Sequence, residues 1–330
     1  MTMLELSCAL TVSDRSRPII NGTVRPDGID LTVMTAKSAG ELFWRQLHFK
    51  EFDVAEMSIS EMLMLVSRGD QSWVMLPVFM TRRFFHNAIL VRKDSGIEKP
   101  ADLRGKRVGV PEYIQTAVVW QRGTLEHEFG IAPKEMDWYQ ERTESMSHST
   151  MFGLQSSGLF RHMPADKTMG SMLLAGELDA ALWYHGSPTL VDRNTIDLEG
   201  HPSMRRLFPD ARAEGVRYFQ KTGIFPMNHA PVIRRSIAER HPWVVLNLYS
   251  AFMAAKEQAA ARVKHAADLY TNLGWLPPEA RAALNRDPLP YGIENNRKAL
   301  ETLARYSHEQ GLSPRIAGLE EVFAEVTLHL

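Results

Sequence analysis

A chain of 330 residues, 44% hydrophobic and 23% charged, is long enough for about two domains and apolar enough for a substantial core. Its net charge of −1 supplies no global field to draw in nucleic acid, so a ligand must be held by local groups. The single cysteine, Cys8, excludes an intramolecular disulfide and a cysteine-based zinc site, and within the apolar run Leu6–Leu10 it reads as a buried thiol.

Leu4–Thr11 reads as a strand. The ten residues around it carry no basic leader region and include Glu5, and no run of 18 uncharged apolar residues exists anywhere, so residence in the cytoplasm without a membrane span is expected. Pro26-Asp27-Gly28 is a turn before a second strand, Ile29–Met34, and Ser38–Phe49 has helical spacing. Phe52–Ile59, Trp73–Phe79 and Ala88–Val91 read as strands, as does Arg107–Val110. A helix is predicted over 114–129 with Gly130 as its C-terminal cap, another over Thr168–Ala175, and a strand over Leu178–Trp183. Lys221–Ile233 reads as extended, and the remainder as helices at Trp243–His265, Glu294–Glu309 and Leu319–His329. Strands alternating with helices give an α/β class.

Two segments echo each other. Glu51-Phe52-Asp53-Val54-Ala55 and Glu177-Leu178-Asp179-Ala180-Ala181 share the pattern Glu-apolar-Asp-apolar-Ala, each after a helix and opening a strand. If the echo marks two similarly built lobes, ligand contacts fall just after each strand, at Glu56 and Ser58 in one lobe and at Tyr184 and His185 in the other. Several chemistries are missing from the sequence: it has no GxGxxG, P-loop, GxSxG elbow, HExxH or His-x-His pair, so no cradle for a nucleotide, flavin or nicotinamide is visible.

Six segments carry groups suited to a cleft. Asp14-Arg15 follows the first strand, and arginine's planar fork suits a carboxylate, although the neighbouring Asp can pair with it. Glu56, beside Ser58, is either a functional carboxylate on a buried strand or a solvent-facing one. Arg82-Arg83-Phe84-Phe85-His86 combines cations, aromatic rings and a proton-transfer group. Glu112, Tyr113, Gln115 and Thr116 lie at a helix start, where backbone N–H groups attract anions. Tyr184-His185-Gly186 and Phe225-Pro226-Met227-Asn228-His229 each place a histidine at a strand end or lobe crossing. His86, His185 and His229 are therefore preferred among the histidines, whereas His127, His265 and His308 fall on exposed helical faces.

These residues resemble a known pattern. Ser13-Asp14-Arg15, Gly22-Thr23-Val24-Arg25-Pro26-Asp27-Gly28-Ile29, Phe52–Ser58, Pro77-Val78-Phe79 with Arg82 and His86, and Gly105–Tyr113 belong to it. So do Thr222–Pro226, His229, His241-Pro242-Trp243 and Pro290–Arg297, so the matching strings run nearly end to end. The chain resembles the 4,5-dihydroxyphthalate decarboxylase family. That resemblance implies a two-lobed type 2 periplasmic-binding-protein-like fold, with a ligand cleft between the lobes and extra C-terminal helices. Lobe 1 would hold residues 1–87 and 230–330 and lobe 2 residues 88–229, with crossings near Phe85–Val91 and Gly223–Ile233.

The activity implied is non-oxidative decarboxylation of a hydroxylated aromatic carboxylate. His229 and His86 are the expected acid and base, Glu56 a third catalytic group, and Asp14, Arg15, Ser58, Arg82, Glu112, Tyr113, Gln115, Thr116 and His185 the substrate contacts. No cofactor is implied, although a divalent metal held by His and Glu is compatible with the residues. A homo-oligomer without nucleic-acid or membrane partners is expected. Phe85 stands where the family commonly has arginine, His185 lies near another position commonly basic, and Glu141–His148 replaces a Gly-rich stretch, so the substrate is open to being a different hydroxylated acid. The rival readings are a solute-binding protein for an aromatic acid, or another lyase on the same scaffold, such as the chorismate dehydratase or dihydroxynaphthoate synthase type.

Overall fold

The computed structural model describes residues 3–154 and 157–330. Its first sheet is built from β1 (Leu4–Thr11), β2 (Ile29–Ala36), β3 (Val54–Ser58), β4 (Trp73–Met75) and β11 (His229–Arg234), in the order β2-β1-β3-β11-β4. The second uses β5 (Leu90–Arg92), β6 (Arg107–Val110), β7 (Asp137–Gln140), β8 (Arg161–His162), β9 (Ala180–Ala181) and β10 (Met204–Arg206), in the order β10-β5-β9-β6-β7-β8. β1 runs parallel to β2 and β3, and β6 to β7 and β9, whereas β11 and β5 enter antiparallel to their neighbours. The longer helices are α1 (Ala39–Phe49), α2 (Ile59–Ser67), α3 (Thr116–Phe129), α4 (Ala211–Thr222), α5 (Pro242–Asn272) and α6 (Arg297–Glu309). No helix of the described residues is long and apolar enough to cross a membrane.

The echo between the two halves has a shared physical cause. Asp53 precedes β3, and its Oδ2 accepts hydrogen bonds from Ser7 N (2.9 Å) and Ser7 Oγ (2.8 Å) on the neighbouring parallel strand. Asp179 precedes β9, and its Oδ2 accepts from Arg107 N and Nε, both at 3.0 Å. The registers correspond, Cys8 facing Val54 in one sheet and Val108 facing Ala180 in the other. Each aspartate thus satisfies a backbone N–H of the neighbouring central strand. Burial alone would raise both carboxyl groups, but these hydrogen bonds and the nearby arginines Arg234 and Arg107 outweigh it and hold both below the usual range.

Other expectations needed correction. The strand expected over Trp73–Phe79 stops at Met75, because Pro77 has no N–H to continue a ladder. Lys221 and Thr222 end a helix that Gly223 caps at φ +69°, so the extended segment starts after them. Leu319–His329 is a four-residue helix (Leu319–Val322) and a 3-10 turn (Glu325–Thr327) rather than one helix. The α3 segment carries apolar side chains on several faces and is buried from Thr116 to Leu125, since it packs between α2, α6 and the segment that leads into β11. At Gly123 a Cβ would fall 2.0 Å from the Tyr306 ring, which explains the glycine at this helix contact.

Candidate active site

A cavity of about 330 Å³ opens where the carboxyl ends of the parallel strands of both sheets face each other. From the first sheet, the chain leaving β2 supplies Ser38 and the first turn of α1, and the chain leaving β3 supplies Glu61 on α2. Asn228 and His229 stand at the start of antiparallel β11. From the second sheet, the segments after β6, β7 and β9 supply Gln115, Arg142 with His148, and Trp183 with His185.

His229 is set by a carboxylate. Its Nδ1 lies 3.0 Å from Glu56 Oε1, and a carboxylate only accepts, so Nδ1 carries the proton and Nε2 is the nitrogen left for the cavity. Glu56 Oε2 is held from the other side by Thr11 N (2.9 Å) and Oγ1 (2.5 Å). Burial pushes the Glu56 carboxyl upward, but His229 and the two Thr11 bonds outweigh burial and keep it below its ordinary value. Phe43 meets the His229 ring edge-on at 4.7 Å, which completes the fixing of its plane.

A second network holds Arg142. Its Nε donates to Asp192 Oδ1 at 2.7 Å, and its Nη1 lies 3.2 Å from His148 Nε2 and 3.9 Å from Glu112. Burial opposes the guanidinium charge, yet Asp192, Glu112 and Glu61 outweigh it and push Arg142 above its ordinary value. His148 Nδ1 donates to Glu61 Oε1 at 2.7 Å, while Nε2 faces both the Arg142 donor and the Gly40 carbonyl at 3.0 Å. A neutral ring accepts from Arg142 and a protonated one donates to Gly40, so either state of His148 has a partner. These bonds join the two lobes, because Glu61 and Gly40 follow the first sheet and His148 follows the second.

His185 makes no side-chain hydrogen bond among the described residues and lines the cavity. Burial, aided by Arg142 and Arg83 and opposed by Asp192, lowers its basicity and favours the neutral ring. Trp183 lines the same wall at φ +54°, a left-handed conformation that costs a non-glycine residue roughly 1–2 kcal/mol. Phe85 packs edge-on behind it at 5.1 Å, so this position supplies an apolar backing.

Among the described residues no group of three or more His, Cys, Asp or Glu side chains is arranged to hold a metal ion.

Comparison with known proteins agrees with the two-sheet architecture. Residues 28–161 match a family model described as "ABC transporter, phosphonate, periplasmic substrate-binding protein". The periplasmic aliphatic sulphonate binding protein SsuA from Escherichia coli superposes with a TM-score of 0.57 at 13% identity, covering 99% of each chain. The desulfurization enzyme DSZB superposes with a TM-score of 0.55 at 14% identity, covering 98% of this chain and 97% of the other. At these identities the likeness concerns the fold. A 4,5-dihydroxyphthalate decarboxylase from Comamonas testosteroni is 32% identical over 99% of this chain and 98% of its own length. The chain belongs to the 4,5-dihydroxyphthalate decarboxylase family. A second member, from Pseudomonas putida, is 31% identical over 67% of this chain and 83% of its own length. The family is one of carboxy-lyases, and its two-lobed α/β fold is that of periplasmic binding proteins.

Of the residues expected in the site, His229, Gln115 and His185 line the cavity and Glu56 stands directly behind His229. The structure places the other expected residues outside the cavity lining. His86 is buried away from the cavity, its Nε2 3.0 Å from Glu214 and its ring packed against Tyr218 and Phe208, because the turn after Phe84 sets it against α4. Arg82 is consumed by the carbonyls of Phe225 and Pro290, both at 2.9 Å, and by Asn296; burial lowers it to about 10. Arg15 reaches the Met80 carbonyl, and Asp14 is exposed, with its own carbonyl accepting from Arg262 at 3.2 Å.

Ser58 and Thr116 face each other at 2.8 Å in a buried hydroxyl cluster with Ser60, which ties the end of β3 to the start of α3. Glu112 accepts from Ser149 Oγ (2.6 Å), Ser147 Oγ (3.1 Å) and His148 N (2.9 Å), so it positions the His148 turn without lining the cavity. Tyr113 is a core ring, stacked on Phe160 and over the buried Arg122 guanidinium. Tyr184, expected just after its strand, instead turns its hydroxyl to the Ile196 carbonyl.

His86→Ala is expected to leave kcat/KM within a few-fold of native and to lower stability by about 2–5 kcal/mol, the range for truncating a large buried side chain to alanine. Steady-state rates and a denaturation curve on one preparation check both halves. Burial would raise Glu214, but its bonds to Arg217 and His86 outweigh it and bring it down to about 2. With a folded-state pKa below the unfolded one, this contribution is complete above the ordinary carboxylate range and lost as pH falls toward 2. Glu214→Gln should therefore flatten the acid side of the stability profile between about pH 4.5 and 2, measured by denaturant midpoint against pH.

Proposed function

We propose that the chain decarboxylates a hydroxylated aromatic acid without oxidation, with 4,5-dihydroxyphthalate as the first substrate to test. The observation that carries this reading is His229, a histidine fixed by a buried carboxylate with its second nitrogen on the cavity, in a chain 32% identical to a named decarboxylase of that acid.

In the proposed step, His185, held neutral by burial, accepts the proton of the ring hydroxyl para to the departing carboxylate. Electron density moves from the oxygen into the ring, and the carbon bearing that carboxylate takes a proton from His229 Nε2. The carbon–carbon bond then breaks. Its electron pair restores the aromatic ring, the oxygen regains its proton from His185, and CO2 departs. One proton is consumed per turnover, and solvent reloads His229. Glu56 keeps Nδ1 protonated and compensates the positive ring before transfer. Phe43 and Trp183 supply apolar surface for the substrate ring.

The test is a screen of hydroxylated benzoates and phthalates for CO2 release by the purified protein without added cofactor. Release from 4,5-dihydroxyphthalate is expected. Tight binding of aromatic acids with turnover of none would favour the solute-binding alternative.

A further inference from the structure

An anion anchor in the cavity lies beside His229 rather than at it. Arg142 is 3% exposed and uses Nε on Asp192 and Nη1 on His148, while Nη2 makes no hydrogen bond among the described residues. Nη2 lies against Gly40, where a Cβ would fall 2.4 Å from it. The backbone N–H groups of Ala39 and Gly40 belong to the first turn of α1, an eleven-residue helix, and have no intrahelical acceptor. Both residues line the cavity, and a carboxylate between them and Nη2 would meet a guanidinium donor and the positive end of a helix together. Phe43, which carries the His229 contact, is one helical turn further along α1, roughly 5 Å away.

A grip on the carboxylate that leaves would oppose the reaction. That group gives up its negative charge as CO2 forms, so a cation on it stabilises the starting state more than the transition state. A carboxylate that stays on the ring keeps its charge throughout, and holding it orients the ring without penalising the step. Resting on the decarboxylase reading above, we propose that Arg142 Nη2 and the amides of Ala39 and Gly40 hold the carboxylate that remains on the product. Arg142 is then the residue that selects an acid with a second carboxylate beside the one lost, as 4,5-dihydroxyphthalate has. A matching acid with one carboxylate occupies the same anchor and is not decarboxylated.

The test uses wild-type protein with three probes: 4,5-dihydroxyphthalate, 3,4-dihydroxybenzoate and 1,2-dihydroxybenzene. The expected result is CO2 from the first only, with 3,4-dihydroxybenzoate a competitive inhibitor that binds about 10–100-fold tighter than 1,2-dihydroxybenzene, as a charge-assisted hydrogen bond provides. Arg142→Lys should raise KM for the diacid more than it lowers kcat, since the anchor is engaged equally before and during the step. Equal affinity for 3,4-dihydroxybenzoate and 1,2-dihydroxybenzene would overturn the anchor, as would decarboxylation of the monoacid with kcat/KM near that of the diacid. If no acid is turned over but the monoacid still binds selectively and loses that selectivity in Arg142→Lys, the decarboxylase reading fails and the anchor stands. If Arg142→Lys does not fold, the wild-type comparison alone decides.

Discussion

His229→Gln is expected to lower kcat by about 10²–10⁴-fold, the usual contribution of a positioned proton donor, with little change in KM. Glutamine keeps a donor toward Glu56 and much of the ring's volume, so Glu56 retains three hydrogen bonds and the fold is preserved. What is lost is a group that can carry a proton to carbon. Glu56→Gln should reduce kcat by a similar order through another route. The amide still fits Thr11, which holds the other oxygen of the native carboxylate at 2.9 and 2.5 Å, but it no longer fixes the proton on Nδ1 or compensates the charged ring. Because the two residues act as one unit, the double variant should be little worse than the poorer single one. Rates, KM and a thermal melt on the three variants check this. Additive losses would mean that Glu56 and His229 contribute separately.

Gly40→Ala should lower kcat/KM by about 10²-fold without loss of stability. The new methyl would lie 2.4 Å from Arg142 Nη2 and 3.1 Å from Val191, and the guanidinium has to move because α1 backbone is the less yielding partner. A displacement of this order at a positioning group typically carries a hundredfold penalty. Stability responds differently, since alanine is the better helix former by up to about 1 kcal/mol and offsets the local clash. Unchanged kinetics in a folded Gly40→Ala protein would show that Arg142 does not need this position.

Much of the fold was legible because it rests on periodicity and local signals. The Arg107–Val110 strand, the helix read over Ser38–Phe49 and the Gly130 cap all came from patterns within a few residues. The site was legible only where a strand end had been recognised. The places of His229 and His185 on the cavity wall follow from such strand ends. Arg142 and His148 were not, because Asp137–Gln140, a four-residue strand with a charged start, shows too little alternation to mark Arg142 as a strand-end residue. Glu61 was missed for a related reason. Phe52–Ile59 reads as one apolar strand, and nothing local shows that the chain turns into helix α2 at Ile59 and points Glu61 at His148. Arg82 and His86 show the opposite case. A cluster of cations, rings and a histidine resembles a site, and only tertiary partners (Pro290, Asn296 and Glu214) show that those groups are already committed.

The central claim is that His229 delivers a proton to the carbon that loses CO2, and its most direct measurement follows 4,5-dihydroxyphthalate in D2O with wild-type protein and His229→Gln. The wild type should release CO2 and monoacid in equal amounts, with one deuterium at the vacated carbon, while the variant binds the substrate and forms product at about 1% of that rate or less. A folded His229→Gln protein that releases CO2 at close to the wild-type rate would contradict the account.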